Sequence, residues 1–321
     1  KASARPPPSV PVLCTWAPYL HYRRFLSIFT EQKTNTMTSL IDQLHPLVLN
    51  IGLAIHDANW NWQNVCSPFY RLYYITKGHA QIRFPNGIIE LKPDHLYFIP
   101  AFMQHSYICN AHFEHYYLHI YEDHQYDALI LDKWDFPTEI TATSIDKALV
   151  TRLCEINPNM KLASSNPATY DNTPTLTSNL QKNRQRALCD KIESRGIVYQ
   201  LLSRFFKYAR PKIVTKDKRI EEALDYISRH ICEDIDLDKL ALETCLSKDH
   251  FIRIFKKETG MTPLKFINQK KIERAQLLLV TQPVSVKNIA LALSFEDFSY
   301  FNRLFKKTTG FTPKDYRLRQ R

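Results

Sequence analysis

Hydrophobic and polar positions fall into two regimes along this chain. Between about Pro46 and Tyr121 the apolar runs are short, β-branched and aromatic: LVLNIGLAIH, YRLYYITKG, AQIRF, IIELK, HLYFIP and HYYLHIYE. Turn residues separate them at Lys77-Gly78, Pro85-Asn86-Gly87 and Lys92-Pro93-Asp94. Short strands at this spacing predict a β-barrel or sandwich. The Asn86-Gly87 pair predicts a tight hairpin, because such a turn needs the positive φ that Asn-Gly supplies.

Past about residue 145 the period changes. Residues 157–179 are rich in Asn, Pro, Ser and Thr and read as a loop. Residues 180–209 are helical, with Ile197, Leu201, Phe205 and Tyr208 on one face and Leu202 and Phe206 beside them. Such a stripe packs against the barrel or pairs with a second subunit, and the pattern does not choose between them.

A polar connector begins at Arg210-Pro211-Lys212, and from Lys218 the chain is helical almost to its end. Ile220, Leu224, Ile227 and Ile231 form the first stripe. Asp236, Ser247, Thr262-Pro263, Ser285 and Thr312-Pro313 are helix starts, and Gly260 and Gly310 are stops. Ser294 with Asp297 reads as a capping box. On the long helix after Pro263, Leu264, Ile267, Ala275, Leu278 and Leu279 face inward. The count is about seven helices, in two helix-turn-helix units around one long connector.

These elements give a multidomain α+β protein with four segments. Residues 1–36 are expected to be an extraneous or disordered leader, with translation starting at Met37. A barrel occupies 37–150, a loop and helices that are a candidate dimerisation segment occupy 151–211, and an all-α domain occupies 212–321.

An internal repeat sharpens the reading of the last segment. FIRIFKKETGMTP at 251–263 returns fifty residues later as FNRLFKKTTGFTP at 301–313. Burying Phe251, Ile254 and Phe255 turns Lys248, Asp249, Ile252, Arg253 and Lys256 outward. In the second copy Phe301, Leu304 and Phe305 are inward, and Phe298, Ser299, Asn302, Arg303 and Lys306 outward. In a helix-turn-helix the second helix enters the major groove, so these outward residues are the candidate DNA contacts. Arg253 and Arg303 either fork onto guanine O6 and N7 or pair with a phosphate or a neighbouring carboxylate. Lys256-Lys257 and Lys306-Lys307 are assigned to affinity rather than specificity.

Charge agrees with this placement. Residues 212–321 hold 22 Lys and Arg against 15 Asp and Glu, while 37–211 hold 16 of each. A neutral body joined to a basic C-terminal third fits one polyanion-binding module. Seven cysteines without a CxxC pair fit reduced, mostly buried thiols in a cytoplasmic protein. No stretch is long and apolar enough for a membrane helix.

LALETCLSKDHFIRIFKKETGMTPLKFINQKKIERAQLLL and IALALSFEDFSYFNRLFKKTTGFTPKDYR resemble the AraC/XylS family of bacterial transcription regulators. Ser294 stands where that family commonly has glycine in the turn, and Ile252 is an apolar choice in the first reading helix. The resemblance implies that both units enter successive major-groove segments on one DNA face, over about two helical turns per monomer. YRLYYITKGHAQIRF and LKPDHLYFIPAFMQHSY resemble the cupin-type barrel with which many members sense small molecules.

Nine of twelve histidines lie between His45 and His124. Against metal cupins, His105 falls at a ligand position, but Asn64, Cys66 and Arg71 fall near the others and do not complete a set. His115 and His119 share one strand face. Neither a metal nor a cofactor is expected. Trp60, Trp62, Arg71, Tyr73, His105 and Tyr107 are candidate pocket residues, suited to a sugar or small organic anion; individually each is equally a core residue or a subunit contact.

The expectation is therefore a non-enzymatic, effector-responsive transcription regulator. Its partners would be double-stranded promoter DNA, a small-molecule effector, a second copy of itself, and RNA polymerase if it activates. One alternative is a regulator whose barrel binds no small molecule. Another, a cupin enzyme with a nucleic-acid-binding appendage, lacks the ligand set it would need.

Overall fold

A computed structural model of the chain describes residues 40–122, 130–282 and 284–319. The leader expected over 1–36, along with His124, lies outside them. The chain divides into two compact units, Lys1–Asp42 and Gln43–Arg321, and all the labelled elements belong to the second.

The strands are β1 (Pro46–Asp57), β2 (Tyr70–Gly78), β3 (Ala80–Phe84), β4 (Gly87–Leu91), β5 (His95–Ile99), β6 (Ser106–Ile108), β7 (His112–Glu122), β8 (Trp134–Asp135) and β9 (Glu139–Thr141). An antiparallel sheet in the order β1-β7-β2-β5-β9 accompanies a smaller one, β4-β3-β6. The β3–β4 hairpin forms where expected, but Phe84 pairs with Gly87 and the two loop residues are Pro85 and Asn86. Proline's fixed φ sets the first loop position, so Asn-Gly is not the central pair. The two-residue and three-residue strands β6, β8 and β9 are too short to show a period.

Alternation explains why the large sheet carries so much aromatic and polar side chain. On β2, Tyr70, Leu72 and Tyr74 join a core with Leu96, Phe98, Leu118 and Ile120. Tyr73 and Ile75 point the other way, into the barrel interior with Tyr97, Ile99 and Phe113. Both faces are covered, one by helices and one by the smaller sheet, so successive residues are all buried.

Helices α1 (Ser144–Glu155) and α4 (Leu188–Phe206) cover the outer face. Ile197, Val198, Leu201, Leu202 and Phe205 of α4 pack into the sheet's core, so the expected stripe is taken by the barrel. Tyr208 is exposed because α4 ends at Phe206. Between them lie the single turn α2 (Pro167–Tyr170) and α3 (Thr173–Gln185). The loop expected over 157–179 is overturned from Thr173 onward. Asn172 caps α3 by accepting from Thr175 N at 2.9 Å, with a proline in the first turn, so the polar composition is helix-start chemistry.

Seven helices follow among the described residues: α5 (Lys218–Arg229), α6 (Leu237–Glu243), α7 (Lys248–Thr259), α8 (Pro263–Thr281), α9 (Val286–Ala292), α10 (Phe298–Thr309) and α11 (Pro313–Arg319). The first unit, α5 to α7, closes on Ile220, Ile227, Leu240, Phe251, Phe255 and Ile267. The second unit, α9 to α11, shares a core with the barrel side, where Phe301, Phe305, Leu277 and Leu279 cluster with Leu49, Phe69 and Tyr121. Helix α8 feeds both cores. Leu264, expected inward, is 56% exposed: one residue past buried Pro263, it turns outward beside Lys265.

Polar ties reinforce the join. Asp132 pairs with Lys270 of α8 at 3.0 Å and Lys212 at 3.2 Å, Lys133 pairs with Asp225 of α5, and Arg210-Pro211 ladders onto β8. The thiols differ from expectation. Of those described, Cys109 is buried, Cys66 and Cys154 are half-buried, and Cys189, Cys232 and Cys245 are exposed. Cys245 is exposed because it sits at a turn, not on an apolar face. No helix among the described residues is long and apolar enough to cross a membrane.

Candidate functional site

The two helix-turn-helix units enter their turns with the same backbone hydrogen bonds. In the first, Cys245 has φ 56°, its N–H donates to Leu242 O, and Leu246 N–H donates to Ala241 O. In the second, Ser294 has φ 54°, with Ser294 N–H on Leu291 O and Phe295 N–H on Ala290 O. Ser294 is thus a left-handed turn residue and not the helix cap expected of it. Its hydroxyl instead donates to Cys232 O at 2.8 Å, bridging to the first unit. Asp297 caps α10 by accepting from Ser299 N at 2.7 Å. The left-handed backbone supplies a physical reason for glycine at this turn position.

Both second helices end alike. Gly260 and Gly310 have φ of 79° and 82°, and Thr259 and Thr309 each donate to the carbonyl four residues back. Counted from the left-handed residue, however, α7 begins three residues on and α10 four. The second turn carries one extra residue.

Phe251, Phe255, Phe301 and Phe305 are fully buried, which fixes each helix's rotation. Lys248, Asp249, Arg253 and Lys256 are exposed on α7, and Phe298, Ser299, Arg303 and Lys306 on α10. Ile252 and Asn302, expected outward, are half-buried. Ile252 leans on the first unit's core, and Asn302 donates to Phe298 O at 2.8 Å. Ile254 and Leu304, expected inward, are also half-buried. Arg253 has no side-chain partner among the described residues, whereas Arg303 approaches Asp297 at 3.8 Å and Lys248 meets Asp238 at 2.8 Å. Exposed pairs of this kind contribute little and exchange readily for a phosphate.

The six candidate pocket residues converge. Trp60 stacks on Tyr107 with ring centroids 3.9 Å apart, and Tyr73 and Tyr107 hydroxyls lie 2.6 Å apart. His105 Nδ1 lies 2.7 Å from Met103 O, and its Nε2 lies 2.8 Å from the Tyr107 hydroxyl. Burial, with Arg71 nearby, lowers the His105 pKa to about 3, so the ring is neutral. A carbonyl only accepts, which puts the proton on Nδ1. Tyr107 therefore donates to Nε2, and Tyr73 donates to Tyr107. That lone pair is occupied, and among the described residues no group of three His, Cys, Asp or Glu could hold a metal. Trp62 is half-buried against the same cluster.

Arg71 is 1% exposed and pairs with Asp171 at 3.2 Å, and Ser67 donates to the same carboxylate oxygen. This partner was not legible, because Asp171 follows α2, a hundred residues away. His115 and His119 do share the inner face, both held neutral by burial. Among the described residues His56 Nε2 and His115 Nδ1 are buried without hydrogen-bond partners, and their rings stack 5.4 Å apart. At the end of β7, Glu122 accepts from Ile130 N at 2.6 Å and Leu131 N at 3.1 Å; burial outweighs both and pushes its pKa up to about 8.

Residues 240–319 match the family described as helix-turn-helix domain, and residues 50–135 match the AraC-like ligand binding domain. This chain thus joins an AraC-like ligand binding domain to a C-terminal helix-turn-helix domain. Over 102 residues it is 33% identical to the arabinose operon regulatory protein of Escherichia coli K12, covering 32% of this chain and 35% of that one. Over 101 residues it is 32% identical to the xylose operon regulatory protein of the same strain, covering 32% and 26%. These alignments thus span about a third or less of the relatives' lengths. ToxT from Vibrio cholerae is similar at 15% identity over 84% of this chain and 98% of its own, with a TM-score of 0.44.

Proposed function

We propose that this chain is an AraC-family, sequence-specific DNA-binding regulator that sets α7 and α10 into adjacent major-groove segments. The observation that carries the reading is the duplication. Two units share turn conformation, helix stops and an outward arginine at the same offset, Arg253 and Arg303. A lone basic helix would serve any polyanion; two matched readers serve a periodic one, duplex DNA. The basic C-terminal third supplies the sequence-independent part of binding.

In this reading the barrel half carries the signal, with a sugar or small organic anion as effector. Trp60, Trp62, Arg71, Tyr73, His105 and Tyr107 are its candidate contacts. A second reading, in which the barrel interior binds nothing, draws support from the same geometry. The rings stack on one another, and Arg71 already holds Asp171. Association into a homodimer has support in Leu188 and Ile192, which are 71% and 64% exposed on α4. RNA polymerase would be a further partner if the protein activates.

Footprinting the full chain on promoter DNA, with retardation of promoter and random DNA between 50 and 200 mM salt, tests the reading. Expected are protection over about two helical turns per copy and a loss of affinity of about a thousandfold if six phosphates are contacted. Salt-independent binding, or equal affinity for random DNA, would overturn it.

A further inference from the structure

Outside the barrel, α3, α4, α8 and the start of β1 border a half-open cavity of about 610 Å³. That volume lies within the range of small-molecule sites. Its composition is lopsided. Arg184, Arg186, Lys191, Arg195 and Arg274 line it, and no aspartate or glutamate does so among the described residues. The floor is apolar, with Leu47, Leu180, Leu277 and Leu278.

Two of the cations are held in place by neutral acceptors. Arg186 donates to Asp190 O at 3.0 Å and Ser194 Oγ at 2.7 Å, and Lys191 donates to Arg184 O at 2.7 Å. None of Arg184, Arg186, Lys191 and Arg195 forms an ion pair among the described residues, although Arg186, Lys191 and Arg195 are half-buried. Burial works against the Arg186 charge and lowers its pKa. Half-buried cations with no carboxylate lining the cavity repel one another and attract an anion, and the nearby Asp190 offsets only part of the burial at Arg186. An apolar floor beneath them asks for an apolar body on that anion.

We infer that this cavity is a binding site for an amphipathic organic anion, its charged group held by Arg186, Lys191 and Arg195 and its apolar part against Leu180 and Leu277. The ligand bridges the helical layer on the barrel to α8, the helix shared by both DNA-binding units. Occupation therefore ties α8 to the barrel half. As an effector site it rests on the regulator reading; as a binding site it does not.

The test uses the full chain and three probes. 8-Anilinonaphthalene-1-sulfonate carries an anion on an apolar body, N-phenyl-1-naphthylamine is its neutral counterpart, and inorganic phosphate has no apolar body. Expected is saturable fluorescence from the sulfonate at one site, weakened at least tenfold by Arg195→Glu. Gln181→Glu, at an exposed lining position that removes no packing, should do the same without changing the circular dichroism spectrum. The neutral probe should respond less than threefold to either change, and millimolar phosphate should not displace the sulfonate. Sulfonate binding unchanged by both substitutions, equal weakening of the neutral probe, or displacement by phosphate would each overturn the assignment. DNA retardation, run separately on the same variants, reports on the regulator reading independently of probe binding.

Discussion

Arg253 and Arg303 occupy equivalent positions but different electrostatic settings. Arg253 reaches into solvent without a partner among the described residues, while Arg303 leans toward the capping Asp297. A bidentate contact to guanine is worth about 1–3 kcal/mol of discrimination. Arg253→Ala and Arg303→Ala should each weaken promoter binding by about ten- to a hundredfold and random-DNA binding much less, as titrated by anisotropy. Equal losses on both DNAs would reassign them to phosphate. Cys245 concerns backbone instead. Holding a non-glycine residue at φ 56° costs about 1 kcal/mol, so Cys245→Gly should stabilise the chain by about 0.5–1 kcal/mol in urea melts. Glu122 makes stability pH-dependent. Its folded pKa of about 8 lies above its unfolded value, so its contribution is full below pH 4.5 and is lost as pH rises through 8. One proton sets a limiting slope of about 1.4 kcal/mol per pH unit. Glu122→Gln should flatten the decline in urea midpoint between pH 6 and 9, and an unchanged profile would count against a buried neutral carboxyl.

Among the elements, those with a strong period were legible in the sequence. The unbroken apolar run from Leu72 to Ile75, buried on both sheet faces, and the i, i+4 pairs Phe251–Phe255 and Phe301–Phe305 encode burial directly. Helix starts built on one side chain, such as Asp236 and Ser285, were equally plain. What failed was chemistry with two meanings. Asn, Pro and Thr at 172–175 serve loops and helix caps alike, and Ser294 serves as a cap or as a left-handed turn residue. Only the path of the backbone separates these. Gly260 and Gly310 give a matched test at this scale. A Cβ built on either meets no atom within 4 Å, so Gly260→Ala and Gly310→Ala should carry conformational cost alone, about 1 kcal/mol each by thermal melting. Strongly unequal costs would mean that the two stops are not equivalent.

At the scale of the whole molecule, long-range partners decide what composition could not. The candidate barrel residues were legible as an aromatic and basic group. Their mutual contacts, and the Asp171 that engages Arg71, come from chain segments far apart and leave no local pattern. Removing the carboxylate should isolate a buried guanidinium, so Asp171→Ala should cost about 3–5 kcal/mol in chemical denaturation. A loss under 1 kcal/mol would place water or another acceptor at Arg71.

The extra residue in the second turn has a further consequence. Equivalent positions on α7 and α10 carry different groups, Asp249 against Ser299 and Ile252 against Asn302, so the two helices are chemically distinct. A single copy therefore possesses a head and a tail. On the proposed reading its target has no need of a palindrome, and inverting one recognition element relative to a gene would change which reader lies nearer the start site. Orientation becomes part of the message the site conveys.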